Sequence, residues 1–177
     1  RNGYFPPGNR LAGYQTLAQR ELFALNPLFF ELRGSKLTGN NYETLDNRLT
    51  LASADVSTAF GDGVTGFMNC TRGGGDESAP AQDFLKELKP GQFVLGTYKG
   101  KPVALLTCTV QWARDLNPVV TGFAPNEVGV YPNPWRYNSL NPTNNPGQYD
   151  LWVDLIISGK TNRVSNWSSK PEIIYEP

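Results

Sequence analysis

At 177 residues the chain has the length of one domain and buries enough surface to fold without a metal or a disulfide staple. Lys+Arg and Asp+Glu number 16 each, so the net charge is zero, which argues against an electrostatic grip on nucleic acid. Histidine is absent, which excludes Ser-His and Cys-His nucleophile pairs and the commonest transition-metal ligand.

The opening residues, with Asn2-Gly3 and Pro6-Pro7-Gly8, are turn material. Tyr14, Leu17, Ala18, Leu22 and Leu25 then share one face at helical spacing, with Thr16 and Gln19 placed as a capping box. Asn26-Pro27 ends that helix and starts another, capped by Asn26, that runs through Leu28 to Leu32 and stops at Gly34. Ser53 is placed to cap a short helix ending at Phe60-Gly61, and Ser78 to cap one from Pro80 to Leu88 with Phe84, Leu85 and Leu88 inward. The Gly-rich run from Arg72 to Asp76 lies between them.

The second half reads as strands. Gln92 to Tyr98 and Pro102 to Trp112 flank the turn Lys99-Gly100-Lys101. Tyr149 to Ile157 is the strongest strand, and Ser158-Gly159-Lys160 turns it towards Arg163 to Trp167. Helices first and antiparallel strands after is the α+β pattern. The expected architecture is a single domain over residues 1–177 with one central antiparallel sheet of four or so strands and short helices on one side.

No window approaches the ~18 apolar residues that span a bilayer, and no secretory leader is recognisable. The start at Arg1 without methionine reads as a processed product or an excised fragment. Cys70 and Cys108 could form one bridge in an oxidising compartment or stay as two thiols behaving as small hydrophobes.

Constellations that could carry chemistry are thin. Gly73-Gly74-Gly75 lacks the Lys-Ser/Thr of a phosphate loop, and no Cys-x-x-Cys is present for zinc. Asp150 and Asp154 share one strand face and are read as a solvated sheet face rather than a glycosidase pair. Asp46, Asp55 and Asp62 are read as turn caps. The loop Asn138, Ser139, Asn141, Thr143, Asn144 and Asn145 is rich in oxygens but has no carboxylate until Asp150, a poor supply for calcium. Trp112, Trp135, Trp152 and Trp167 are candidates for a sugar-stacking platform. Asn69-Cys70-Thr71 and Asn166-Trp167-Ser168 match the glycosylation pattern.

The motif order resembles the globular part of type IV pilin-like proteins, above all the major pseudopilin of type II secretion. Arg1-Asn2-Gly3-Tyr4-Phe5-Pro6 is similar to the segment that follows the family's long N-terminal helix, and Leu17 to Leu25 to its Leu/Ala-rich short helix. Asn133-Pro134-Trp135-Arg136-Tyr137 is similar to its Pro-Trp turn, Pro146-Gly147-Gln148-Tyr149-Asp150-Leu151-Trp152 to its strand start, and Asn166-Trp167 to its closing pair. Gly159 to Arg163 before that pair looks like prepilin-like proteins of Verrucomicrobia-type bacteria. Residues 131–167 carry the family-like sheet, and residues 34–130 look like an insertion.

The resemblance implies a structural, non-catalytic subunit of a homo-oligomeric pilus or pseudopilus filament, extracellular or periplasmic. Its partners would be other pilin or pseudopilin subunits, with no nucleic acid. Membrane contact would come only through the family's hydrophobic N-terminal helix, absent from this sequence. Trp135, Tyr137, Tyr149, Asp150, Trp152, Asn166 and Trp167 would hold the C-terminal sheet and its assembly surface. No cofactor is expected. The resemblance also implies a calcium loop, but Val153 to Ser165 holds only Asp154 as a carboxylate, a poor supply for calcium. The alternative reading is a secreted polysaccharide-binding module using exposed aromatics.

Overall fold

A computed structural model describes Pro6 and residues 23–73 and 79–174. The Asn2-to-Phe5 motif, most of the helix expected from Tyr14 to Leu25, the Gly74–Asp76 part of the Gly-rich loop and the Ser78 cap lie outside the described residues.

The expected second helix forms as α1 (Leu28–Arg33) and ends at Gly34, whose φ is 76°. A Cβ on Gly34 would meet the Gln82 carbonyl oxygen at 2.8 Å and Leu45 Cδ1 at 2.9 Å, so both conformation and space require glycine there. Asn26 Oδ1 accepts the Leu28 N–H at 3.2 Å, a turn just ahead of the helix, but the N-cap position itself falls on Pro27, one residue later than expected. Ser53–Asp55 forms a 3-10 turn that leads into α2 (Val56–Phe60), closed by Gly61.

Between and after these helices the chain is sheet, much of it unforeseen. The hairpin of β1 (Ser35–Thr38) and β2 (Asn41–Thr44) turns at Gly39-Asn40. With β3 (Thr50–Ala52) and β4 (Cys70–Arg72) it makes a sheet in the order β3-β2-β1-β4. β1 and β4 run parallel, so the sheet is mixed. A second sheet, β6-β5-β7, comprises β5 (Phe93–Tyr98), β6 (Lys101–Leu106) and β7 (Phe123–Pro125). Lys99 and Gly100, with φ of 50° and 73°, make its two-residue turn. A third, β11-β10-β9-β8, comprises β8 (Arg136–Asn138), β9 (Asp150–Ile157), β10 (Lys160–Ser165) and β11 (Glu172–Ile174). The α+β class holds, but among the described residues three sheets replace the single central sheet expected. Strands also precede, rather than follow, the second helix.

The segment expected to be helical up to Leu88 is irregular over its described residues 79–88. Its backbone is engaged laterally instead. Ala81 N–H donates to Thr71 Oγ1 at 2.8 Å, Gln82 N–H to Asn69 Oδ1 at 2.8 Å, and Phe84 N–H to the Leu32 carbonyl at 2.8 Å. Donors taken by distant partners cannot close the i to i−4 ladder, and Phe84 is left 64% exposed.

The main core lies between α1, α2 and the first two sheets. Phe30 stacks on Phe67 with centroids 4.3 Å apart, and Phe60 meets both rings edge-on. Phe29, Phe30, Phe60 and Phe67 are fully buried. Residues 34–130 therefore supply most of the principal core.

Two charged residues of α1 are buried with it. Arg33 Nη1 donates to Asp83 Oδ2 at 2.8 Å, and its Nε lies 3.1 Å from Asp46 Oδ2, close but misaligned for a hydrogen bond. Glu31 accepts the Met68 N–H at both oxygens (2.9 and 3.1 Å) and the Asn69 N–H at 2.9 Å, fixing the entry to β4. Burial pushes the Glu31 carboxyl above its ordinary value of 4.5, against the lowering effect of those backbone N–H groups and of Arg72.

A raised carboxyl pKa means that the folded chain holds the proton more readily than the unfolded one. The stabilising contribution of Glu31 is then complete below pH 4.5 and is lost as pH rises through the folded value. Glu31→Gln replaces one acceptor oxygen with an amino group facing N–H donors, and is expected to cost about 1–3 kcal/mol at neutral pH. The stability gap between wild type and E31Q should widen as the pH is lowered from neutrality to about 4, measured by urea titration. A gap that narrows would contradict the raised value.

Candidate functional site

The C-terminal motifs of the family resemblance meet in the third sheet. Ser158 and Gly159, with φ of 51° and 72°, form a two-residue turn that sets the β9–β10 register: Asp154 opposite Arg163 and Trp152 opposite Ser165. On the other side β8 pairs Arg136 with Trp152, Tyr137 with Leu151 and Asn138 with Asp150.

The Asn133-to-Tyr137 segment joins two sheets. Cys108 N–H donates to the Asn133 carbonyl at 2.9 Å and Trp135 N–H to the Leu106 carbonyl at 3.0 Å, around a Thr107–Pro134 bridge. Its first half thus extends the end of β6 while its second half is β8. The strand expected to run on to Trp112 ends at Leu106 because the chain hands its pairing to this segment. Proline suits the joint, since it removes one donor where pairing changes partner.

Asp150 and Asp154 are not a solvated face. They are 2% and 6% exposed, and each organises its surroundings. Asp150 Oδ2 accepts the Thr143 and Asn144 backbone N–H groups at 2.9 and 3.1 Å and Asn144 Nδ2 at 3.1 Å, and Oδ1 accepts the Asn145 N–H at 2.9 Å. The Asn/Pro loop is therefore folded around one carboxylate by four N–H donors, a capping arrangement that aims protons at the oxygens calcium would need. Among the described residues no cluster of three metal-ligating side chains is present.

Asp154 takes a bidentate pair from Arg163, Nε at 2.8 Å and Nη2 at 2.9 Å, with Arg136 Nη1 3.9 Å away. Both guanidinium groups also sit on tryptophan rings, Arg163 on Trp152 at 5.5 Å and Arg136 on Trp112 at 5.7 Å. Neither carboxylate is placed for acid–base work on a substrate, because both are buried and already bonded.

Asn166 closes the site. Its Oδ1 accepts the Leu151 N–H at 3.0 Å and Asn145 Nδ2 at 3.1 Å, while its Nδ2 donates to the Tyr149 carbonyl at 2.9 Å. One side chain thereby continues the β9–β10 ladder past its last pair and pins the Asn/Pro loop to it. Trp167 packs edge-on to Trp152 at 5.8 Å, Phe23 meets Trp152 at 5.2 Å, and Tyr149 meets Tyr137 at 5.7 Å.

Two contacts bring the beginning of the chain onto this sheet. The Pro6 carbonyl accepts Tyr137 Oη–H at 2.9 Å and Ser139 Oγ–H at 2.7 Å. Asn26 Nδ2 donates to the Trp135 carbonyl at 2.8 Å. Trp135, Tyr137, Tyr149, Asp150, Trp152, Asn166 and Trp167 are thus gathered in one place with residues from both ends of the chain.

No family model, curated protein or solved structure matches the chain. The site is consequently read from its own geometry.

Four residues that build it were read from the sequence only in other roles: Asn26 as a helix cap, and Asn133, Arg136 and Arg163 as members of motifs without a part in the site. A signal for one was present, since counting outwards from the Ser158-Gly159 turn places Arg163 opposite Asp154. Asn133 is 1% exposed and donates from Nδ2 to the Asp154 carbonyl at 2.8 Å, which fixes the joint segment over β9.

The remaining candidates fare differently. Cys70 and Cys108 are free thiols in this structure, the first buried and the second half-buried. Asn69 donates to the Glu31 and Gln82 carbonyls at 2.8 and 2.6 Å, so this side chain, like Asn166, is occupied in tying segments together. Trp152 is buried, Trp112, Trp135 and Trp167 are half-buried, and none of the exposed large apolar residues is a tryptophan.

Proposed function

We propose that the chain is the globular part of a pilus or type II secretion pseudopilus-like filament subunit, a structural protein displayed outside the cytoplasm. One observation supports this above the others. The short motifs on which the pilin resemblance rests lie at opposite ends of the chain, and the carbonyl of Pro6 is held by Tyr137 and Ser139 beside the sheet built from Asn133–Tyr137, Asp150–Trp152 and Asn166. The end of the first motif and the C-terminal motifs touch here, through side chains engaged in scaffolding. The polysaccharide-binding alternative needs open ring faces, whereas Trp112, Trp152 and Trp167 have their rings engaged by arginines or by other aromatics.

The test is the native protein in its source cells, followed with an antibody to the domain. In a filament subunit the intact mass should exceed 19.5 kDa, with N-terminal sequencing showing an apolar helix of roughly 20 or more residues. The antigen should also leave the cells with sheared surface filaments. A native species of 19.5 kDa that starts at Arg1 and never enters a high-mass assembly would overturn the proposal.

A further inference from the structure

The chain between β6 and β8 encloses a cavity of about 200 Å³. Val119, Val120 and Pro134 in its wall are buried, whereas Pro118 is exposed, so the cavity reaches from the interior to the surface. Nothing in the filament reading uses it.

Two properties of the wall decide what it can hold. The first is stiffness. Four of the ten wall residues are prolines (Pro118, Pro125, Pro132 and Pro134), each with its φ locked by the ring. Pro134 is also held by the bridge to Thr107. Trp112 is held by two hydrogen bonds, from its backbone N–H to the Tyr131 carbonyl and from its indole N–H to the Asn117 carbonyl, both at 2.9 Å. The Arg136 guanidinium lies 5.7 Å from the Trp112 ring and that of Arg114 5.6 Å from the Tyr131 ring. Neither arginine belongs to the wall, so both rings are braced from behind it. A wall fixed in this way cannot relax inward to close the void.

The second property is a shortage of polar groups. The prolines bring no N–H, both Trp112 donors are spent, and the Phe123 N–H donates to the Val120 carbonyl at 3.2 Å. The other wall side chains are valine and phenylalanine, which leaves the Tyr131 hydroxyl as the last polar side-chain atom of the wall. Apolar cavities stay dry, so a guest has no bound water to displace. An ionised or multiply hydroxylated guest would bury polar atoms without partners, which rules out a sugar as well.

We propose that this cavity is a binding site for a small uncharged aromatic molecule with at most one polar group, of the phenol or indole class. Size bounds the guest from both sides. The volume exceeds the ~150 Å³ that accepts benzene in an engineered core and falls short of the ~300 Å³ at which drug-sized pockets begin. One substituted ring or a small bicycle fits those limits. A flat, rigid guest is favoured over an alkyl chain of equal volume, because it packs against the rings of Trp112, Phe123 and Tyr131 and loses no internal rotation on binding. The site stands apart from the filament reading and can hold or fail without it.

Isothermal titration calorimetry of the purified chain with p-cresol tests it. Saturable one-to-one binding with a millimolar or tighter Kd is expected, and a melting temperature that rises with p-cresol concentration. p-Toluate, with a carboxylate where p-cresol has its hydroxyl, should bind about tenfold or more weakly, because the cavity offers that charge no partner. Val130→Phe adds bulk at the wall and should lower p-cresol affinity about tenfold or more while a cooperative melt is kept. Val120→Leu, a smaller addition at the buried side, should shift affinity in the same direction. Binding that never saturates, or equal affinity for p-cresol and p-toluate, overturns the proposal on the wild type alone. A cooperatively folded V130F with unchanged p-cresol affinity overturns it as well.

Discussion

Asp154→Ala is expected to destabilise the domain by about 3–5 kcal/mol, the cost of removing one partner of a buried ion pair while the other stays behind. The side chain of Asp154 is 8% exposed and takes two hydrogen bonds from Arg163 across the β9–β10 ladder. Arg136, also 8% exposed at its side chain, lies 3.9 Å away on the neighbouring strand. Without the carboxylate, the Arg163 guanidinium loses both of its acceptors on β9. Against a total stability of ~5–15 kcal/mol this is a large fraction. Urea titration should show a lower midpoint with an unchanged slope. Replacing Arg163 by Met together with Asp154→Ala should recover part of the loss, since the uncompensated charge on β10 is then removed too. A single variant as stable as wild type would mean that the pair contributes nothing to holding the third sheet.

Phe30→Ala, in the core between α1, α2 and the first two sheets, should cost a similar ~3–5 kcal/mol. Its ring is wholly buried, stacked on Phe67 and edge-on to Phe60, so truncation leaves a cavity between α1 and the first sheet that rigid neighbours fill poorly. The informative part is where the loss is seen. All four tryptophans lie at or beyond residue 112, in the loops before β8 and in the third sheet. If the core around Phe30 and the third sheet unfold together, tryptophan fluorescence and far-UV circular dichroism should shift to lower urea by the same amount. The joins that predict this are the Thr107–Pro134 bridge, the Trp135–Leu106 hydrogen bond and the Asn26–Trp135 hydrogen bond. A fluorescence transition that stays in place while the far-UV signal moves would mean two independently folding parts.

Legibility of the fold in the sequence followed the range of the forces involved. α1 was readable because Asn-Pro before it and Gly34 after it act on their own backbone. The β5–β6 and β9–β10 hairpins were readable because Lys99-Gly100 and Ser158-Gly159 adopt the left-handed conformations that two-residue turns demand. The β1–β2 hairpin had a comparable signal in Gly39-Asn40, and it was passed over because the strands beside it are short and polar. The helix expected up to Leu88 failed for the converse reason. Its local pattern was acceptable, but Asn69, Thr71 and Leu32 claim its backbone from elsewhere in the chain.

The sequence by itself determined the α+β class, the principal hairpin turns and the two helices with clear stops, because each rests on contacts within a few residues. It also marked the aromatic and Asn/Pro segments that gather at the C-terminal sheet. Only the tertiary structure decided that Asp150 and Asp154 are buried, that Asn166 and Asn69 act as ties between segments, and that residues 34–130 hold the main core. A carboxylate on a strand is equally at home in water or in an interior, and the difference lies in whether N–H donors converge on it. Those donors come from Thr143–Asn145 for Asp150 and from Arg163 for Asp154. Loop closure and sheet register bring them there, and neither is encoded in the residue types alone.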